Sequence, residues 1–225
     1  DAYVYFYIRI NNNLKAYIKG TTQTYTNITV ACGESLDLEV EASAASGELT
    51  YAWSREVLNA IEYRVENLTE TGSKLSIASV DATYRYKCTV SDQYGNSAEV
   101  VFYVHVNNRL TIYLKETGKE QSSLTVNYGG SKTLEFVLGG DDLEGCTIHW
   151  TAYSNTQSKL IEDQKTLTYE TGPIYSWTEY SCIVVDKYNN YVEGIVDLEI
   201  ENGLKAYDTE TQESEVILYS DGGSR

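Results

Sequence analysis

The sequence predicts an all-β protein of two tandem β-sandwiches in an elongated arrangement, and three observations lead there. The chain repeats itself: LTYAW at 49–53 answers CTIHW at 146–150, and YRYKCTVSDQYGN at 84–96 answers EYSCIVVDKYNN at 179–190. Its junctions match too, INNNLKAYIKG at 10–20, VNNRLTIYLKE at 106–116 and IENGLKAYDTE at 200–210. The period is roughly 95 residues, about one small sandwich domain. Apolar residues also alternate with period 2, and no segment sustains a helical period.

Alternation marks the strands individually. Leu36, Leu38 and Val40 alternate with Asp37, Glu39 and Glu41, and Val100, Phe102, Val104 and Val106 line one face of a later strand. Gly, Asn, Asp and Ser punctuate at short intervals, and the single proline, Pro173, sits in a loop position. SAEVVFYVHV at 97–106 and YVEGIVDLEI at 191–200 are the closing strands of two repeats, 11–106 and 107–200. DAYVYFYIRI at 1–10 has the same form and reads as the last strand of a truncated upstream repeat. Residues 201–225 read as the opening strands of a truncated third. The junctions Asn11–Asn13 and Asn107–Arg109 are too short and too strand-like to be flexible linkers.

Composition narrows the function classes. The net charge of −16 repels phosphate backbones and anionic leaflets, which disfavours nucleic-acid and membrane-surface binding. No apolar stretch approaches the roughly 20 residues of a membrane span, so no membrane insertion is expected in this segment. Tyrosine is the outlier, with 21 residues against 3 Phe and 3 Trp. Such an excess fits half-exposed strands, where the ring packs and the hydroxyl stays wet, or else a tyrosine-lined glycan or protein surface.

Reading each repeat as about seven strands puts Trp53 and Trp150 on a third strand. Tyr86-x-Cys88 and Tyr180-x-Cys182 then fall on a sixth. These residues resemble the core tryptophan, tyrosine corner and second cysteine of immunoglobulin (Ig) domains, and KLSIASVDATYRYKCTVSDQYGN resembles the E-to-G stretch of I-set-like ones. The resemblance implies a core of Trp53, Tyr86, Cys88, Trp150, Tyr180 and Cys182, with both tyrosines bonding backbone at the corner. The chain departs from the pattern at the first cysteine, where it carries Leu38 or Val40 and Leu134 or Phe136. Cys32 and Cys146 align instead with Tyr128 and Leu49, so Cys88 and Cys182 are expected to be free and buried. A bridge between Cys32 and Cys146 across the junction is the alternative.

Chemistry-bearing motifs are not found: no Ser-His-Asp order, HExxH, P-loop, GxGxxG or CxxC is present, so neither enzyme activity nor a cofactor is expected. His105 and His149 read as strand-surface packing. Asp141, Asp142, Glu144 and Asp186 should gather beside Asn107 and Asn108, either as a Ca²⁺ cage or as turn residues making local bonds. IYSWTEY at 174–180 reads as part of a two-residue expansion, counted from Leu75 and Leu167. There Tyr175 and Trp177 serve either a sugar platform or an interdomain contact. The absence of the Ig disulfide, the scarcity of proline and the short junctions resemble Ig-like repeats of large bacterial surface proteins. That resemblance implies an extracellular, cell-surface spacer whose partners are neighbouring repeats. The alternative is an adhesin or carbohydrate-binding module that uses exposed tyrosines on a glycan or a host or surface protein.

Overall fold

A computed structural model describes residues 3–4, 10–154, 157–161 and 164–201, and every regular element among them is a strand. The strand expected at 1–10 lies mostly, and the third repeat expected at 201–225 almost wholly, outside those residues. The first unit comprises β1 (Lys15–Ile18), β2 (Tyr25–Val30), β3 (Leu36–Ser43), β4 (Leu49–Leu58), β5 (Tyr63–Asn67), β6 (Lys74–Ile77), β7 (Tyr84–Asp92) and β8 (Ser97–Val106). The second comprises β9 (Leu110–Leu114), β10 (Gln121–Asn127), β11 (Thr133–Gly140), β12 (Thr147–Ser154), β13 (Gln157–Ile161), β14 (Thr168–Glu170), β15 (Thr178–Val185) and β16 (Tyr191–Glu201).

Each unit packs a three-stranded sheet, β1-β3-β6 or β9-β11-β14, on a five-stranded one, β2-β8-β7-β4-β5 or β10-β16-β15-β12-β13. The opening stretch divides between the sheets. β1 joins the small sheet antiparallel to β3, and β2 crosses over to lie parallel to β8; β9 and β10 do the same. This split moves the tryptophans to the fourth strand of each unit and the Tyr-x-Cys pairs to the seventh, one place later than the sequence count. The strand order and the inward Trp and Cys define two tandem Ig-like sandwiches.

Trp53 faces Cys88 across β4 and β7, and Trp150 faces Cys182 across β12 and β15. All four are essentially inaccessible, and each indole Nε1 donates to a backbone carbonyl, Gly72 O or Thr166 O, at 2.8 Å. The strand that would supply the first Ig cysteine buries Leu38 and Val40 in one repeat and Leu134 and Phe136 in the other. The four cysteines are free. Cys32 is exposed on a turn, and Cys146 is half-buried against the second core, as Leu49 is against the first. Burial pushes the Cys88 and Cys182 thiols up to about 12, so neither is a nucleophile at neutral pH. Unfolded without reductant, the protein should therefore titrate four thiols. In the native state Cys32 should react first with a disulfide reagent while Cys88 and Cys182 stay silent; a total of two would restore the bridge between Cys32 and Cys146.

Two sequence expectations are corrected. The register pairs Leu38 with Leu75 and Leu134 with Tyr169, so Leu75 corresponds to Tyr169 and not to Leu167. Val80 and Ile174 also play one role, each accepting a bond from the turn glycine Gly33 or Gly129. The corner of the second repeat therefore has no two-residue expansion. Nor do the tyrosines close onto corner backbone among the described residues. Tyr86 lies opposite Arg55, whose guanidinium meets its hydroxyl, and Tyr180 packs on Tyr169 with ring centroids 5.6 Å apart. In the first repeat the adjacent strand supplies a guanidinium beside the hydroxyl, and the second repeat replaces Leu75 with a ring.

Candidate functional site: the joint between the repeats

The same polar clamp is built at the head of each repeat. Asn12 Nδ2 donates to Asp92 Oδ2 at 3.0 Å and to Ser46 O at 2.8 Å, while its Oδ1 accepts from Ser46 N at 3.1 Å. Asn108 repeats this with Asp186 Oδ2 at 2.7 Å, Asp142 O at 2.9 Å and Asp142 N at 2.9 Å. The other oxygen of each aspartate accepts two amides of its own turn, Tyr94 N and Asn96 N or Tyr188 N and Asn190 N, all at 2.8–2.9 Å. Those turns need a left-handed residue, and Gly95 (φ 81°) and Asn189 (φ 64°) supply it, two residue types for which that region is accessible.

One more side chain reaches out of each turn to the backbone that leads into its own repeat. Asn96 Nδ2 donates to Ile10 O at 2.8 Å, and Asn190 Nδ2 donates to Val106 O at 3.2 Å. Between the two repeats this contact grows into a joint. Thr83, at the β6–β7 corner of the first repeat, donates its amide to Tyr188 O at 2.7 Å and its hydroxyl to Asn190 Oδ1 at 2.6 Å. The Thr83 hydroxyl oxygen also accepts from Val106 N at 3.0 Å. The Tyr188 ring packs against the core of the first repeat, and its hydroxyl donates to Asp142 Oδ2 at 3.1 Å. The contact is end to end: the far corner of one sandwich receives the β15–β16 turn of the next.

The acidic cluster is thus spent on local bonds. Besides the Asn108 contacts, Asp142 pairs with Lys187 at 2.8 Å, and Asp141 accepts from Arg109 N at 3.2 Å. No set of three His, Cys, Asp or Glu among the described residues is placed to hold a metal ion. The Lys187 hydrogen bond, with the Glu144 amide behind it, holds the Asp142 carboxyl below the usual carboxylate range. At Asp92, burial pushes upward but the bonds from Asn96, Asn12 and the turn amides outweigh it, leaving that carboxyl lowered too. Groups depressed on folding stabilise above their unfolded value of about 3.9, and that contribution is lost as pH falls through the lower folded value. Both heads should hold through mild acid and loosen only below about pH 4. Carboxyl carbon NMR titration checks this, with Asp92 and Asp142 midpoints expected below 3.9.

Tyr175 and Trp177 occupy the corner of the second repeat that corresponds to Asp81 and Thr83. Tyr175 is 60% exposed, and the Trp177 indole stands edge-on to Tyr153 at 5.8 Å and 78°. Tyr175 meets Tyr128 in the same way at 5.2 Å and 70°. Neither pair offers two rings in one plane. A separate groove of about 690 Å³, which neither Tyr175 nor Trp177 lines, opens between Ala152, Leu160, Ile161, Tyr169 and Tyr180. In the first repeat Arg55 stands where Ala152 does, bonded to Glu66 at 2.8 Å and laid over the Tyr84 ring. On the outer face of the first repeat's large sheet, the buried Glu56 accepts from Arg85 Nη1 at 2.6 Å in an ion pair.

Sequence reasoning placed Asn108 beside the carboxylates but missed Asn12, Asn96 and Asn190. The signal was present: Asn12 with Asp92-x-x-x-Asn96 recurs as Asn108 with Asp186-x-x-x-Asn190. Carboxylates stand out in an acidic turn, whereas the side-chain amides are what bind them.

No family model matches the chain, and neither does any curated protein. Solved structures with a similar arrangement include the N-terminal eight Ig domains of Down Syndrome Cell Adhesion Molecule isoform 1.30.30. It is 15% identical with a TM-score of 0.35, over 81% of this chain and 23% of that one. The N-terminal four Ig domains of Dscam1 isoforms 6.9 and 8.4 are 14% and 16% identical with TM-scores of 0.35, each over 84% of this chain and 46% of theirs. This chain thus spans less than half of any of the three. At these TM-scores the likeness adds nothing to the argument from strand order.

Proposed function

We propose that the chain is a non-enzymatic spacer segment of a longer extracellular surface protein, holding another module away from its anchor. The observation that supports it best is the joint, in which Thr83, Val106, Tyr188 and Asn190 lock two sandwiches end to end through a junction of three residues. A spacer transmits distance only when its joints resist bending, and hydrogen bonds on several sides of a short junction do that. The I-set-like subtype, supported by the split opening strands, and the bacterial origin, supported by the sequence resemblance, belong to this reading. So do the boundaries 11–106 and 107–200 and the assignment of neighbouring repeats as partners. Small-angle scattering tests it. A ten-residue strand spans about 33 Å, so an end-to-end pair should show a maximum dimension of about 70–80 Å, and one under about 55 Å would sink the spacer.

One observation favours the second reading, an adhesin or carbohydrate-binding module: the groove left open by Ala152 between Tyr169 and Tyr180. Titration with a panel of soluble oligosaccharides, followed through the resonances of those two rings, decides between the two. Saturable shifts there favour the adhesin, and unmoved rings favour the spacer.

A further inference from the structure

Tyr94 is the counterpart of Tyr188, at the same place in the same turn, yet the two meet different surroundings. Tyr188 is packed on the core of the repeat before it, whereas Tyr94 is 41% exposed, its hydroxyl only 3.5 Å from Ser46 Oγ. Everything else in the turn is already set as in the occupied joint. Asp92 holds both turn amides, Asn12 holds Asp92, and Asn96 already grips the carbonyl of Ile10, as Asn190 grips that of Val106. Among the described residues, what the first repeat's turn lacks is a partner for the Tyr94 ring and for Asn96 Oδ1, the two groups that Thr83 and its neighbours satisfy in the second repeat's turn.

We propose that the turn Asp92–Asn96 is a docking plug for the far end of another repeat of this kind, one with a threonine or serine three residues ahead of its Tyr-x-Cys. This rests on the reading of the chain as one of a series of repeats, and goes further by naming the residue that selects the partner. Thr83 stands three ahead of Tyr86, and its hydroxyl is both donor to Asn190 and acceptor from Val106. The equivalent position in the second repeat is Trp177, which offers no hydroxyl and is turned edge-on to Tyr153. The two repeats thus present sockets of different chemistry. A plug ending in an asparagine amide matches the threonine socket, because the Thr83 hydroxyl donates to the amide oxygen and accepts from Val106 N at once, whereas an indole N–H donates but has no lone pair to accept.

Two copies fused so that residue 200 of the first runs directly into Asn11 of the second test the plug. Tyr94→Phe in the first copy leaves the second copy's Tyr94 as the probe, read by nitration with tetranitromethane and peptide mapping. With Trp177→Thr in the first copy, that Tyr94 should nitrate at least about fivefold more slowly than in the single chain. Asn96→Ala in the second copy should remove the protection. Tyr94 reacting in the Trp177→Thr fusion as fast as in the single chain overturns the proposal. If scattering shows that fusion still extended, the plug alone has failed and the spacer reading stands; a folded-over fusion sinks the spacer separately. Should Trp177→Thr unfold its repeat, Thr83→Val in the single chain decides. Nitration of Tyr188 rising severalfold supports the threonine socket, and an unchanged rate overturns it.

Discussion

Replacing Trp150 with alanine should cost the second repeat about 3–5 kcal/mol, at the upper end of that range, and leave the first repeat standing. The indole is wholly buried, and its loss opens a cavity and strips the Thr166 carbonyl of its donor. It also removes the middle of a column of rings. Phe136 lies 5.6 Å from Trp150 on one side and Tyr169 5.3 Å on the other, with Tyr180 beyond Tyr169. Aromatic pairs add about 0.5–1.5 kcal/mol beyond their buried area, and two of them end with this substitution. Trp53 has one such partner, Phe102 at 6.0 Å, so Trp53→Ala should be the milder of the two. The remaining tryptophans report separately. In Trp150→Ala, Trp177 should signal unfolding at a urea midpoint about 2–4 M lower, with Trp53 unmoved, taking a slope of about 1–2 kcal/mol/M. Coincident, unshifted transitions for both would show that the indole does not centre the core.

The sandwiches were legible because their signal is redundant. Alternation marked β3 and β8, the two Trp-to-Cys pairings repeated, and Leu38, Val40, Leu134 and Phe136 announced that the first cysteine was missing. The corner was misread for a physical reason. Leu167 and Tyr169 both turn inward against the second core, and a slip of two along a strand preserves the inward and outward faces. Leu75 matches Leu167 by identity and Ser76 resembles Thr168, so the pattern could not expose the slip; only the cross-strand partners Leu38 and Leu134 did. The joint was hidden differently. Thr83 is unremarkable in its own corner, and its role comes from Asn190, 107 positions away, reached only after both repeats have folded.

The second repeat should tolerate no side chain at Gly194, and the reason lies in how the two cores divide one volume. A Cβ built there would lie 2.2 Å from Phe136 Cε1 and 2.7 Å from its Cδ1. Gly194 pairs with Cys182, as Val100 pairs with Cys88, so the first repeat has valine where the second has glycine. The first repeat also has Val40 in place of Phe136 and carries its phenylalanine on β8 as Phe102, opposite the small sheet, where the second has Val196. One benzyl ring fills each core, delivered from opposite sheets. Gly194→Val alone should cost about 3 kcal/mol or more, since the clash is with a ring already wedged against Trp150. Phe136→Val alone should cost about 2–3 kcal/mol through the cavity it leaves. Together they should recover much of the loss, and adding Val196→Phe should recover more by restoring the first repeat's own set. Denaturant unfolding of the single, double and triple variants measures the coupling. It should reach about 2 kcal/mol, and costs that add to within about 0.5 kcal/mol would show that Phe136 and Gly194 do not share the space.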